Sequence, residues 1–120
     1  MGASTGTHIE ITEALVRLYV FLAQYLDRCV NEAARHAYPE AELQGHLAAT
    51  RARLTELLAA NRVVKGKVEQ ECERVLALGV ACVKGGPDKA ATLDSIKAER
   101  ARLQHKMSTL SDLLAVFRAV

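Results

Sequence analysis

The sequence predicts an all-α protein, an elongated antiparallel three-helix bundle or coiled coil with a long central helix. Apolar residues recur in alternating steps of three and four along three long segments, which is the period of helices that pack along a seam. Two short breakpoints, each containing one of the two prolines, separate these segments. Alanine, leucine, valine, arginine and glutamate dominate the composition, and these residue types favour helix.

The breakpoints divide one domain, residues 9–120, into three predicted helices that follow a flexible leader, residues 1–8. The first helix covers residues 9–36, and Thr7 and Glu10 fit a capping box at its start. Pro39 suits the first turn of the second helix, residues 40–84, because proline cannot continue the preceding one. Two glycines and Pro87 separate it from the third helix, residues 88–118.

The second predicted helix is longer than its partners. At 1.5 Å per residue it would extend roughly 65–70 Å, against roughly 40–47 Å for the other two. It must therefore overhang them or break, and a break near Gly66 would give a four-helix variant. The heptad pattern passes through Gly66 in phase, which favours a continuous helix.

The seams of the second and third helices can be aligned residue by residue. A turn centred on the two glycines places Leu78 opposite Leu93 and Val75 opposite Ile96. The same register places the two charged seam residues, Glu71 and Arg100, opposite each other. A charge left unpaired in a seam is costly, whereas a paired one can set the register. We therefore predict that Glu71 and Arg100 form a register-setting pair.

The first helix can pack on the second in two registers that are one heptad apart. One register places Leu22 opposite Leu57, and the other places Leu22 opposite Thr50. The first is preferred because it centres the turn on Pro39 and Glu40.

The first helix carries apolar residues around most of its circumference. An outer helix of a three-helix bundle buries one face only, so some of these apolar residues would remain exposed to solvent. We predict that Val16, Tyr19, Val20 and Phe21 bind another protein or a second copy of the chain. The alternative is that this helix lies centrally between parts of the other two.

The sequence offers no motif for catalysis, metal or cofactor binding. The four histidines lack metal-ligand spacing, and Cys72 and Cys82 lie roughly 15 Å apart on one helix. A net charge of +2 does not call for nucleic acid, and a basic run between Arg51 and Lys67 fits a solvated face. The apolar stretch from Ala14 to Leu26 is interrupted by Arg17 and is too short to insert into a membrane.

These observations predict a non-catalytic helical protein–protein interaction module, such as a subunit, adaptor or chaperone-like protein of a larger assembly. Two alternatives stay open: a self-contained homo-oligomeric bundle, and a bundle that binds an apolar small molecule. An odd number of cysteines without paired spacing indicates a reducing compartment, the cytoplasm or the nucleus.

Overall fold

The computed structural model describes residues 3–33, 40–59, 62–84 and 89–119, and all of these residues are helical. The four helices are α1 (Ala3–Ala33), α2 (Glu40–Ala59), α3 (Arg62–Lys84) and α4 (Lys89–Ala119). The all-α class is therefore confirmed, and within the described residues the helices number four rather than three.

The second predicted helix is divided into α2 and α3, and α2 folds back along α3. The guanidinium of Arg51 on α2 lies 3.0 Å from the carboxylate of Glu73 on α3. On one straight helix these residues would be roughly 33 Å apart. The favoured continuous helix is therefore not confirmed, and the four helices agree with the variant, although Gly66 itself lies inside α3. A continuous helix of roughly 65–70 Å would also exceed the longest dimension of the molecule, 56 Å.

The helices alternate in direction, and α1 occupies the central position. It contacts the other three helices, running parallel to α3 and antiparallel to α2 and α4. In the described ranges α2 contacts α1 and α3 but not α4. Cys29 of α1 and Thr50 of α2 line the same cavity.

The core contains most of the predicted seam. Leu22 of α1, Val75 of α3 and Leu103 of α4 are essentially inaccessible to solvent. Other buried apolar residues recur in the same alternating steps of three and four: Leu18, Tyr25, Cys29, Leu54, Val64, Val68, Cys82, Ile96 and Leu114. Because these residues are buried, the heptad pattern identifies the inward face of each helix.

A second set of buried residues lies outside the predicted seam. Tyr19 and Leu26 on α1 and Cys72 and Leu76 on α3 are buried as well. These positions widen the apolar stripes of α1 and α3, because each of these helices contacts three neighbours rather than one.

Helix α1 begins earlier than the capping box predicts. It starts at Ala3, so Thr7 lies within the helix. The ring of His8 lies 6.5 Å from the ring of Phe117 on α4. This contact gives the additional turn of α1 a neighbour on which to pack.

One close approach fixes the distance between α1 and α3. The side chain of Tyr25 lies over Gly79, where an added Cβ would be 2.4 Å from the tyrosine hydroxyl oxygen. That hydroxyl donates a 2.7 Å hydrogen bond to the backbone carbonyl of Leu76. Only glycine leaves room for the ring, so the buried tyrosine keeps its hydrogen bond.

Alanine substitutions at two glycines of α3 should therefore have opposite effects. Gly79→Ala should destabilise the fold by about 1–3 kcal/mol, because Tyr25 must move and lose its bond to Leu76. Gly66→Ala should stabilise it by about 0.5–1 kcal/mol, because an added Cβ meets no atom within 4 Å there. Urea denaturation of both variants measures the difference, and equal shifts of one sign would contradict the close approach.

Candidate functional site

A cluster of charged residues spans α1, α3 and α4 at the middle of the bundle. Glu71 of α3 is its centre, with a side chain only 16% exposed. Its carboxylate accepts hydrogen bonds from Arg102 at 2.7 Å and from Lys106 at 3.1 Å, both on α4. We call Tyr19, Glu71, Arg74, Glu99, Arg102 and Lys106 the polar network.

Glu99 of α4 is the second carboxylate of the polar network and is 7% exposed. Arg74 of α3 donates two hydrogen bonds to it, at 3.0 Å and 3.2 Å. Arg102 also contacts Glu99, so one guanidinium bridges both carboxylates. In the described part of the chain no buried side-chain polar atom lacks a partner, so the network is fully satisfied.

Tyr19 connects the polar network to α1. Its hydroxyl lies 3.4 Å from the Glu71 carboxylate, and the ammonium of Lys106 stands 5.2 Å from the centre of its ring. Burial raises the pKa of the Tyr19 hydroxyl, and the neighbouring Glu71 charge adds to that effect. Tyr19 therefore acts as a neutral donor in the network.

Both network carboxylates are held in their charged form. Burial alone would raise the pKa of Glu71, but hydrogen bonds from Arg102 and Lys106 outweigh it and lower that pKa below its ordinary value. The pKa of Glu99 is lowered in the same way, with burial opposed by Arg102 and Arg74. The arrangement stabilises fixed charges and offers no poised acid or base for proton transfer.

The predicted Glu71–Arg100 pair is replaced by Glu71–Arg102. Arg100 instead pairs with Asp27 of α1, with a nitrogen–oxygen distance of 3.0 Å at an exposed position. Two residues along a helix turn a side chain by about 200°, so Arg100 and Arg102 face different neighbours. The two ion pairs between α3 and α4, Glu71–Arg102 and Arg74–Glu99, both differ from the predicted alignment by two residues.

The structure places the four predicted partner-binding residues in different environments. Tyr19 is 5% exposed and belongs to the polar network, and Phe21 packs against the hydrophobic core. Val16 is half-buried, and Val20 is 37% exposed. The prediction assumed an outer position for the first helix, whereas the central position of α1 uses most of its apolar surface internally.

Apolar side chains are instead exposed near the end of α4. In the register set by the polar network, the start of α3 at Arg62 lies level with Ser111. Beyond this level α4 continues to Ala119 beside α1, where Arg118 pairs with Glu13 at 2.7 Å. Because α3 does not reach this stretch, Leu113 is 42% and Val116 59% exposed.

A groove between α1 and α4 leads up to these exposed residues. It has a volume of about 320 Å³ and is lined by Leu15, Tyr19, His105, Lys106, Thr109 and Leu110. We call it the α1–α4 groove. Leu110, Leu113 and Val116 follow each other at intervals of three, so the exposed residues lie near the same side of α4 as the groove.

The sequence contains a signal for this surface that the heptad pattern obscures. Leu113 and Val116 are apolar but lie off the seam that contains Leu110, Leu114 and Phe117. A large apolar residue outside the seam near a helix end is a candidate contact residue. The buried Glu99 gives no comparable signal, because it resembles the solvated acidic residues of α4.

Other spaces in the described part of the chain lie around α2. Two grooves between α2 and α3 have volumes of about 680 Å³ and 230 Å³, and a partly open apolar pocket between α1, α2 and α3 has a volume of about 30 Å³, room for about one water molecule. Among the described residues no group of three or more histidine, cysteine or acidic side chains could hold a metal ion. Burial raises the pKa of the Cys29 thiol to about 11 and that of Cys72 to about 12.

The described helices include none that is long and apolar enough to cross a membrane. Comparison with protein-family models, with curated proteins and with solved structures gives no match.

Removal of the bridging guanidinium tests the polar network. Arg102→Met should destabilise the protein by about 2–3 kcal/mol, because Glu71 and Glu99 lose a shared partner while largely buried. This loss of stability is smaller than the full cost of breaking a buried ion pair, because Arg102 is one-third exposed. Arg74 and Lys106 also remain as partners of the two carboxylates. The control Arg100→Met removes an exposed pair and should cost at most about 1 kcal/mol. Thermal unfolding compares the two, and equal losses would contradict the network geometry.

The polar network should also make stability depend on pH in the acidic range. Both carboxylates have lowered pKa values in the folded state, so their contribution is complete above the ordinary glutamate pKa of about 4.3. It should decline as the pH falls below that value and vanish below the folded-state pKa values. The free energy of unfolding, measured from pH 7 to pH 3, should fall less steeply for Glu99→Gln than for the wild type. Parallel curves for the two proteins would exclude Glu99 as a contributor.

Proposed function

We propose that this protein is a non-catalytic helical protein–protein interaction module, a subunit, adaptor or chaperone-like protein of a larger assembly. It binds an amphipathic helix of another protein in the α1–α4 groove. The observation that carries this proposal is the groove itself, together with the exposed side chains of Leu113 and Val116 beside it. Contiguous exposed apolar side chains on a single chain commonly mark an interaction site.

The shape and the lining of the groove favour a helix as the ligand. A cleft between two helices accepts the apolar face of a third helix, which then completes the packing. Leu15 and Leu110 offer apolar contacts within the groove, while His105, Lys106 and Thr109 offer hydrogen bonds to the polar edge of a bound helix. Leu113 and Val116 extend the apolar contact by about two further turns of α4.

The rigid support behind the groove favours the same conclusion. Tyr19 and Lys106 line the groove and are also held by Glu71 in the polar network. A surface whose side chains are already fixed loses little conformational entropy on binding. The polar network therefore prepares one wall of the groove for a partner.

The alternatives differ in the surface that they use. A second copy of the chain could occupy the same groove and would then give a symmetric dimer. An apolar small molecule is less favoured, because the apolar pocket beside Cys29, about 30 Å³, is far below the roughly 300 Å³ of a typical ligand site, and the larger spaces are shallow grooves open to solvent.

A photo-crosslinking amino acid placed at Leu113 tests the proposal directly. In extracts of the source cells, Leu113→p-benzoylphenylalanine should give one discrete adduct whose linked peptide lies on an amphipathic helix. The same amino acid at Val30 is the matched control, since Val30 is 36% exposed but belongs to α1, near its other end. An adduct of twice the chain mass would assign the groove to self-association, and equal labelling from both positions would contradict the proposal.

The binding energy can then be measured with the identified helix as a synthetic peptide. The double variant Leu113→Glu with Val116→Glu should bind it at least about 10-fold more weakly, because each change replaces apolar contact with a charge. Val30→Glu should bind as the wild type does. Because all three positions are exposed, circular dichroism should show unchanged helix content in each variant.

A further inference from the structure

Helix α2 is the helix that the bundle holds least firmly. Among its described side chains only Leu54 and Leu58 are buried, and less of α2 than of any other helix lies against a neighbour. The two grooves between α2 and α3 show that the facing surfaces of these helices are not closely packed. Because most of the stability of a helix in a bundle comes from buried apolar surface, α2 contributes less to the fold than its neighbours do.

The ion pair that joins α2 to α3 is also weak. Arg51 and Glu73 are both more than half exposed, and such pairs contribute little to stability. Two other polar contacts of α2 lie within the helix: Arg53 pairs with Glu56, and the hydroxyl of Thr55 donates a hydrogen bond to the carbonyl of Arg51. These two contacts persist when α2 moves as a unit.

The other three helices are joined by contacts in which α2 has no part. Tyr25 of α1 packs over Gly79 of α3 and donates its hydrogen bond to the carbonyl of Leu76. The polar network joins α1, α3 and α4, and all six of its residues lie outside α2. Helices α1, α3 and α4 therefore keep these contacts when α2 moves away from them.

We propose that α2 is a lid that opens from α1 and α3 while the other three helices stay packed, and that it controls access to Cys29. Proteins open locally in cooperative units, and the units with the fewest buried apolar contacts open most readily. Helix α2, with Leu54 and Leu58 as its buried anchors, is the unit of this kind in the bundle. The inference does not rest on the proposed function, because α2 contributes no residue to the α1–α4 groove.

Cys29 lies beneath this lid. Its side chain lines the partly open apolar pocket, which Leu47 and Thr50 line from α2. Cys29 is only 6% exposed, and a pocket of about 30 Å³ is too small to admit a maleimide. Burial raises the pKa of the Cys29 thiol to about 11, so little reactive thiolate forms while α2 is closed. Opening of α2 removes one side of the pocket and returns the thiol to water.

Thiol labelling measures the opening of α2. The native protein is treated with N-ethylmaleimide, and peptide mapping follows the reaction of Cys29. Urea denaturation gives the free energy of global unfolding, and the rate in urea-unfolded protein gives the reactivity of the free thiol. Together these two quantities set the rate that global unfolding allows. Cys29 should react at least about 10-fold faster than this limit, because its exposure requires only α2 to move.

Two matched crosslinks identify the motion that exposes Cys29. Arg51→Cys with Glu73→Cys, joined by a short bismaleimide, ties α2 to α3. The control, Glu13→Cys with Arg118→Cys, ties α1 to α4 at another surface ion pair. The introduced thiols react first, because the native cysteines are buried. The first crosslink should slow labelling of Cys29 at least about 10-fold, and the control should leave the rate unchanged.

A weakened anchor should have the reverse effect. Leu54→Ala removes packing between α2 and the core, so Cys29 should react at least about 10-fold faster than in the wild type. The control Leu114→Ala removes a leucine of similar burial from α4, which α2 does not contact in the described ranges, and should leave the rate unchanged. The crosslinks, whose changes lie at the surface, decide the question if either variant does not fold.

Three results would overturn the proposal. The first is labelling of Cys29 no faster than global unfolding allows, which would mean that α2 leaves only when the whole bundle unfolds. The second is an equal slowing of the reaction by both crosslinks. The third is a folded Leu54→Ala variant in which Cys29 reacts no faster than in Leu114→Ala. None of these results would affect a groove that binds a foreign helix, so the two proposals fail independently.

Discussion

Burial of α1 is the constraint on which the rest of the fold depends. Its apolar residues cover so much of its circumference that one neighbouring helix cannot remove them from water. α3 covers the side that carries Tyr25, α4 covers another, and α2 approaches the side that carries Cys29. Each helix therefore takes its direction from α1, and the close approach of Tyr25 to Gly79 sets the distance between the two best-buried helices.

The polar network determines how α3 and α4 align once α1 is covered. Apolar seams alone tolerate a shift by one heptad, because leucine and valine fit many holes of similar size. Two largely buried carboxylates tolerate it poorly, since a shift of α3 along α4 separates Glu71 from Arg102 and Lys106 and separates Glu99 from Arg74. The network therefore contributes more to the choice of one register than to the total free energy of folding. Its placement against α1 through Tyr19 also fixes one wall of the α1–α4 groove.

The sequence predicts the inward faces better than the chain path. The alternation of three and four residues identifies Val64, Val68 and Val75 as core, and all three are buried. The same pattern cannot tell whether a helix continues past Ala59, because a folded-back helix can bury the same leucines as a straight one. That choice depends on what lies beside α2, which packs on both α1 and α3.

Two further differences between prediction and structure, the partner of Arg100 and the burial of Tyr19, have one cause, which is the position of α1. If the first helix were an outer one, Arg100 would face Glu71. Tyr19 would then stay exposed on the surface of the bundle. With a central α1, Arg100 finds Asp27, and Tyr19 is enclosed between Glu71 and Lys106. The candidate surface therefore moves from α1 to α4, where Leu113 and Val116 extend beyond the start of α3. Pairwise alignment of seams cannot reveal this, because it treats each helix as having one partner.

The bundle separates residues that specify the fold from residues that are free to serve another purpose. Leu22, Val75 and Leu103 are enclosed, so their substitution would alter the packing of several helices at once. Leu113 and Val116 touch little of the core, and the fold does not require them to be apolar. Large apolar side chains in water favour non-specific association. The proposed partner helix would cover these side chains, which neither the packing of α1 nor the polar network requires to be apolar.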